Sequence, residues 1–206
     1  MDEGEAQEQE PVFALLAEPA THGGAPVKRI DTHAAAVFLA GDRTFKVKRA
    51  VRFPFLDYST LALRKQACEA ELEVNRAFAP EIYRGVVPIT REPDGRLALD
   101  GHGTPVEWAV EMRRFDESAT LDQLAEAGRI DAGLADALGR AVAAAHATAP
   151  YADAGPWVKA LADYIDEHVA AFGEAPGLFP ADEVEAHARA SRAAVTLARM
   201  AARIDK

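Results

Sequence analysis

A single cysteine, Cys68, stands in a chain of 206 residues, so no disulfide can close within it. A lone thiol without a disulfide framework points to a reducing compartment, and a cytoplasmic location is expected. No apolar run approaches the ~20 residues a helix needs to cross a bilayer. The opening Met1-Asp-Glu-Gly-Glu5 lacks the basic and apolar blocks of a secretory signal. Basic residues are in deficit, 23 against 33 acidic ones, giving a formal net charge of −10. That sign argues against nucleic acid or an anionic membrane as partner. There is no Gly-x-x-x-x-Gly-Lys-Ser/Thr stretch, which excludes a P-loop. His22, His33, His102 and His146 show no metal-ligand spacing, so no metal site is expected.

What is present is a change of period along the chain. Residues 1–10 hold five acids and read as a solvated tail. Strand-like patterning follows over Val27–Thr32, Ala36–Ala40 and Arg43–Lys48, the last two joined by a turn at Gly41-Asp42. An irregular aromatic segment, Arg52 to Tyr58, leads to a helix capped by Ser59 or Thr60 and running to about Phe78. Gly85–Ile89, Leu97–Leu99 and Val106–Met112 read as further strands. Beyond Met112 the spacing becomes helical: Thr120-Leu-Asp-Gln123 resembles a capping box. Asp131–Thr148, Pro156–Phe172 and Ala181–Ile204 are alanine-rich helical stretches. The fold class is therefore α+β in two lobes, a β-rich lobe over 11–112, a join at 113–117 and a helical part over 118–206.

Thr44, Lys46 and Lys48 share one face of their strand, while Phe45 and Val47 share the other. One reading is an edge strand whose lysines face water. The other places Lys46 in a cleft. The following helix bears on the choice. Its apolar stripe runs through Leu61, Cys68, Leu72 and Phe78, and Glu71 borders that stripe through its spacing to Cys68 and Asn75. A carboxylate at such an edge is costly unless paired, and Lys46 would pair it; a partly exposed, unpaired Glu71 is the alternative. A strand lysine beside a helix glutamate is how kinase-type folds hold the phosphates of ATP.

Several segments, taken in order, resemble a bacterial family. They are Asp31-Thr-His33, Val37 to Gly41, Phe45-Lys-Val-Lys-Arg49, Phe55-Leu-Asp-Tyr-Ser-Thr60, Cys68 to Leu72 with Asn75-Arg76, Ala79-Pro80, Tyr83 to Ile89 and Ala109 to Phe115. The chain is similar to the aminoglycoside phosphotransferase-like domain often fused ahead of a P-loop ATPase domain. The resemblance implies a protein-kinase-like fold with an antiparallel five-stranded N-lobe, one main helix and the helical start of a C-lobe. It also implies ATP as cofactor, with Mg²⁺ in the complete enzyme, and a small-molecule acceptor whose identity the residues do not give.

By that likeness Lys46 would contact the α/β-phosphates, Glu71 would be its helix partner, and Lys48 would be a second candidate. Thr32 to Ala36 would turn over the nucleotide, with alanines where relatives often carry a serine. Met112 would back the adenine site, and the backbone of Arg113 to Phe115 would bond the adenine edge. The family's His-Gly-Asp-x-His-x-x-Asn-type catalytic loop and metal-binding Asp do not occur between Asp116 and Lys206. No catalytic residue is therefore assigned. The expectation is a transferase fragment, the nucleotide-binding front piece of a small-molecule kinase, inactive by itself. The alternatives are a non-catalytic nucleotide-binding or regulatory pseudokinase module and a structural domain without ligand.

Overall fold

Val27–Asp31 (β1), Ala35–Ala40 (β2) and Arg43–Lys48 (β3) form an antiparallel meander at the N-terminal side of the sheet. The β2–β3 reversal needs only Gly41 and Asp42, and Gly41 supplies the left-handed φ of 59° that the tight turn demands. The structure is a computed structural model that describes residues 3–153 and 155–204. Tyr83–Arg91 (β6), Leu97–Leu99 (β7) and Thr104–Arg113 (β8) complete one six-stranded antiparallel sheet in the order β1-β2-β3-β8-β6-β7. The resemblance implied five strands and the sheet has six: the segment Leu97–Leu99, read as a strand from the sequence, pairs with the end of β6 through Ile89–Arg91 as an edge strand. The aromatic segment is not irregular throughout. Arg52–Phe53 (β4) and Leu56–Asp57 (β5) make a separate two-stranded ladder. Gly101 and Gly103 lead into β8 where a Cβ would meet Thr90 Oγ1 at 2.2 Å and the Arg91 carbonyl oxygen at 2.1 Å. Close passage against the end of β6 therefore requires glycine there.

Helices cover both faces of the sheet. Glu3–Ala17 (α1) is helical from within the stretch expected to be a solvated tail. Its Val12, Phe13 and Leu16 pack with Ala36, Phe38, Phe45, Val47 and Ile89. That is the sheet face opposite the lysines. Leu61–Arg76 (α2) covers the lysine face, where Cys68 packs with Val110 and Met112. Thr60 caps α2 by accepting from the Leu63 amide at 3.2 Å. The buried residues of α2 are Arg64 and Cys68, whereas Phe78, expected to extend the stripe, lies beyond the helix and is exposed.

After β8 come Leu121–Glu126 (α3), Ala132–Thr148 (α4), Gly155–Gly173 (α5) and Ala181–Ile204 (α6). Among the described residues no strand follows Arg113. Thr120 does not cap α3 with its side chain; its hydroxyl donates to the Glu117 carbonyl at 3.0 Å. The chain divides into two compact units, residues 1–142 and 143–206, a division that falls inside α4. In the second unit α5 and α6 pack together, with Ile165 and Ala188 buried and the Phe172 ring centre 4.6 Å from that of Phe179, the two rings tilted by 32°. Among the described residues no helix is long and apolar enough to cross a membrane.

Candidate functional site

β3 pairs on both sides, with β2 and with β8, so it is an interior strand. The edge-strand reading of its lysines therefore fails. α2 lies over their face and brings Glu71 onto both. Lys46 Nζ donates to Glu71 Oε1 at 2.9 Å, and Lys48 Nζ donates to Glu71 Oε2. The pairing expected for Lys46 is present, and Lys48 shares the carboxylate equally. The two lysines differ in surroundings. The Lys48 side chain is 8% exposed and its ammonium lies 5.5 Å from the Tyr58 ring centre, whereas the Lys46 side chain is 31% exposed.

Two ammoniums on one carboxylate leave a local excess of one positive charge in a protein of net charge −10. Burial pushes the Glu71 carboxyl up, but the hydrogen bonds and charges of Lys48 and Lys46 outweigh it, and the net displacement is downward. Burial likewise pulls the Lys48 ammonium down, and the hydrogen bond to Glu71 with its charge turns the net displacement upward. Cys68 lies on the same face, wholly buried, and burial pushes its thiol up to about 12. It is a core thiol without thiolate character.

Met112 pairs with Thr44 in the sheet register, which puts it on the lysine face, nine-tenths buried beside Cys68 and Val110. Lys46, Lys48, Glu71 and Met112 thus share one side of the sheet. The side chains of Arg113 and Phe115 do not join them. Arg113 Nε donates to the Glu81 carbonyl at 3.1 Å, and Phe115 is exposed. Of the backbone amides there, Arg113 donates to Ile82 O at 2.7 Å and Arg114 to Asp42 O at 2.7 Å. Among the described residues the Phe115 amide has no such partner. In the β1–β2 turn, Thr32 closes on itself, its amide donating to Ala35 O and its hydroxyl accepting from the Ala35 amide. The amides of His33 and Ala34 have no protein partner among the described residues.

A second polar cluster adjoins this one and is absent from the sequence reading. β3 pairs with β8 only as far as Val47 opposite Ala109, so Glu107 lies just past the end of that ladder. There, wholly buried, its carboxylate accepts from Arg64 Nε at 3.0 and 2.9 Å and from Gln9 Nε2 at 2.6 Å. Arg64 also donates to the carbonyls of Tyr58 and Ser59. One signal for this cluster was legible: Glu107 sits between Val106 and Trp108 in an apolar strand, where a carboxylate demands a partner. Gln9, inside an acidic run, gave none.

No protein-family model matches the chain. No solved structure matches it. Uncharacterized proteins of Mycobacterium bovis and of two strains of Mycobacterium tuberculosis are each 37% identical to it over 116 residues, 56% of this chain and 22% of the relative. The chain thus spans less than a quarter of the length of these curated relatives, which are themselves uncharacterized.

Proposed function

We propose that this chain carries the nucleotide-binding lobe of a kinase-like small-molecule phosphotransferase, of the aminoglycoside phosphotransferase-like kind. The observation that carries the reading is the half-open Lys46 ammonium, held 2.9 Å from Glu71 on the face that α2 covers. A strand lysine oriented by a helix carboxylate is preorganised to meet phosphate oxygens, and the excess positive charge favours a polyanion. The free amides of His33 and Ala34 in the β1–β2 turn add donors of the kind that cradle phosphate. At the other end of the site Met112 would back the adenine ring. The Phe115 amide, free of a protein partner, would donate to the adenine edge; the Arg113 and Arg114 amides are already engaged.

Phosphoryl transfer needs more than this lobe. It requires metal ions bridging the phosphates and a carboxylate that orients the acceptor hydroxyl. The chain has no His-Gly-Asp-type loop between Asp116 and Lys206. The reading for these 206 residues is therefore nucleotide binding without turnover, and that same lack keeps a regulatory pseudokinase module as the second reading. Calorimetric titration with MgATP tests the first. Saturable binding that Lys46→Ala weakens supports it; no binding, or equal binding by the variant, removes the site from this face. An acceptor-dependent ATP turnover by the 206-residue chain, at the rate of a form extended beyond Lys206, would remove the restriction to binding.

A further inference from the structure

The side-chain amide of Gln9 takes the place of a missing neighbour strand. Beyond Val47 the β3–β8 ladder ends, yet the backbone at Lys48 and Ala50 is not left open. Gln9 Nε2 donates to Lys48 O at 2.9 Å, and Gln9 Oε1 accepts from the Ala50 amide at 2.7 Å. A carbonyl and an amide flanking one residue are what a parallel-strand neighbour would engage. The orientation of this amide is fixed by its surroundings, because its nitrogen meets two acceptors and its oxygen meets a donor. The second N–H of Gln9 reaches Glu107 Oε2, and Glu107 is the carboxylate that holds Arg64.

These contacts close on themselves. Arg64 and Glu71 belong to α2, seven positions apart and so near the same helix face. The path runs from Arg64 to Glu107 on β8, to Gln9 on α1, to the backbone of Lys48 on β3, through its side chain to Glu71, and back along α2. Gln9, Lys48, Arg64 and Glu107 are all buried. Lys46 is the open branch of the circuit, attached through the second oxygen of Glu71.

We propose that Gln9 is a positioning residue of the phosphate site: through this circuit it commits Lys48 to Glu71 and leaves Lys46 as the cation that meets the nucleotide. The inference rests on the nucleotide reading given above. It assigns the N-terminal helix a part in the site, beyond covering the opposite face of the sheet. With Gln9 in place the end of β3 is fixed in height, and Lys48 reaches only Glu71. Without it Lys48 keeps only its pairing with Ala35 of β2, its carbonyl loses the partner on the β8 side, and the Lys48–Glu71 contact is no longer held from both sides.

The test uses the 206-residue chain with Gln9→Met, which keeps the length of the side chain and removes its hydrogen bonds. Val12→Ala, in the same helix and buried against the sheet but outside the circuit, controls for loss of α1 packing. Two quantities are read: the titration of the Lys48 ammonium by side-chain NMR without ligand, and MgATP affinity by calorimetry. Gln9→Met should lower the Lys48 titration point toward that of a free lysine and weaken MgATP about tenfold, the factor one lost buried hydrogen-bonding partner commands. Val12→Ala should cost thermal stability and move neither. Should Gln9→Met fail to fold, Gln9→Asn, one methylene shorter, should shift both readouts in the same direction by less. Unchanged readouts in the Gln9 variants overturn the proposal. So does Val12→Ala moving them as far at equal loss of Tm. If the wild-type chain binds no MgATP the nucleotide reading fails, and the Lys48 titration alone still decides whether Gln9 positions that lysine.

Discussion

Arg64 holds Glu107 through a single nitrogen that meets both carboxylate oxygens, at 3.0 and 2.9 Å, with Glu107 wholly removed from solvent. The pair ties the N-terminal half of α2 to β8, two helical turns before Glu71 meets the lysines of β3. α2 is thus fixed to the sheet by two ionic contacts. One is closed to solvent and the other is partly open at Lys46.

Removing one partner of the closed contact should be severe. Arg64→Ala leaves the buried Glu107 carboxylate without its counter-charge, holding only the neutral donors Gln9 Nε2 and the Trp108 amide, and breaking a buried pair this way costs about 3–5 kcal/mol. The double variant Arg64→Met with Glu107→Leu removes both charges and should recover most of that loss. Urea unfolding of the three proteins checks it. A double variant as unstable as Arg64→Ala would mean that hydrogen bonds to Tyr58, Ser59 and Gln9, and not charge, carry the stabilisation.

Stability should fall at both ends of the pH range through the open contact. The folded Glu71 carboxyl lies below its ordinary 4.5, so its contribution is complete above the unfolded value and is lost as pH falls through the folded one. The folded Lys48 ammonium lies above its ordinary 10.5, so its contribution is complete below the unfolded value and is lost as pH rises through the folded one. Glu71→Gln should lower stability at neutral pH and shallow the acid limb. Unfolding free energies measured from acid to neutral pH test this, and an acid limb of unchanged slope in Glu71→Gln would contradict it.

Cys68 offers an independent reading of whether α2 stays docked. The thiol is inaccessible and its titration is pushed to about 12, so a thiolate-directed reagent at pH 8 should not label the native chain. Labelling should become stoichiometric on unfolding. Arg64→Ala should accelerate it before global unfolding by raising local opening of α2. Rapid modification of the native wild type would show that α2 does not cover this face.

How much of this was legible in the sequence follows from how local each signal is. Lys46 and Glu71 could be paired because strand alternation and helical spacing each assign a face from neighbours within a few residues. The helical character after Arg113 and the Gly41-Asp42 turn were legible for the same reason. Lys48 was harder: the same alternation marks it, but its deep burial depends on Tyr58 and the approach of α2. Gln9 and Arg64 were not legible. Their roles arise from partners 98 and 43 positions away at Glu107, and a glutamine among acids or an arginine on a helix reads locally as solvated. The short strand Leu97–Leu99 was legible too, because the Asp94-Gly95 turn marks where the chain returns from β6.

The two lysines should separate binding from stability. Lys46 is a third exposed, and its ion pair with Glu71 is partly screened, so Lys46→Ala should change stability by less than about 1 kcal/mol. If it meets phosphate, the same change removes a charge-assisted contact of about 1.5–3 kcal/mol from MgATP binding. Lys48 is buried, and Lys48→Ala leaves an unfilled space beside Tyr58 while Glu71 keeps only one partner. That substitution should cost about 1–3 kcal/mol of stability, the range for a buried group that loses a hydrogen-bonding partner. Lys48→Met, which refills the space, should recover part of it. Thermal unfolding and MgATP calorimetry on the same preparations decide the matter. Lys46→Ala lowering affinity while Tm holds, and Lys48→Met lowering Tm while affinity changes less, would assign the open lysine to ligand and the closed one to the fold. The reverse pattern would exchange their roles, and equal affinities in all three proteins would take both lysines out of the site.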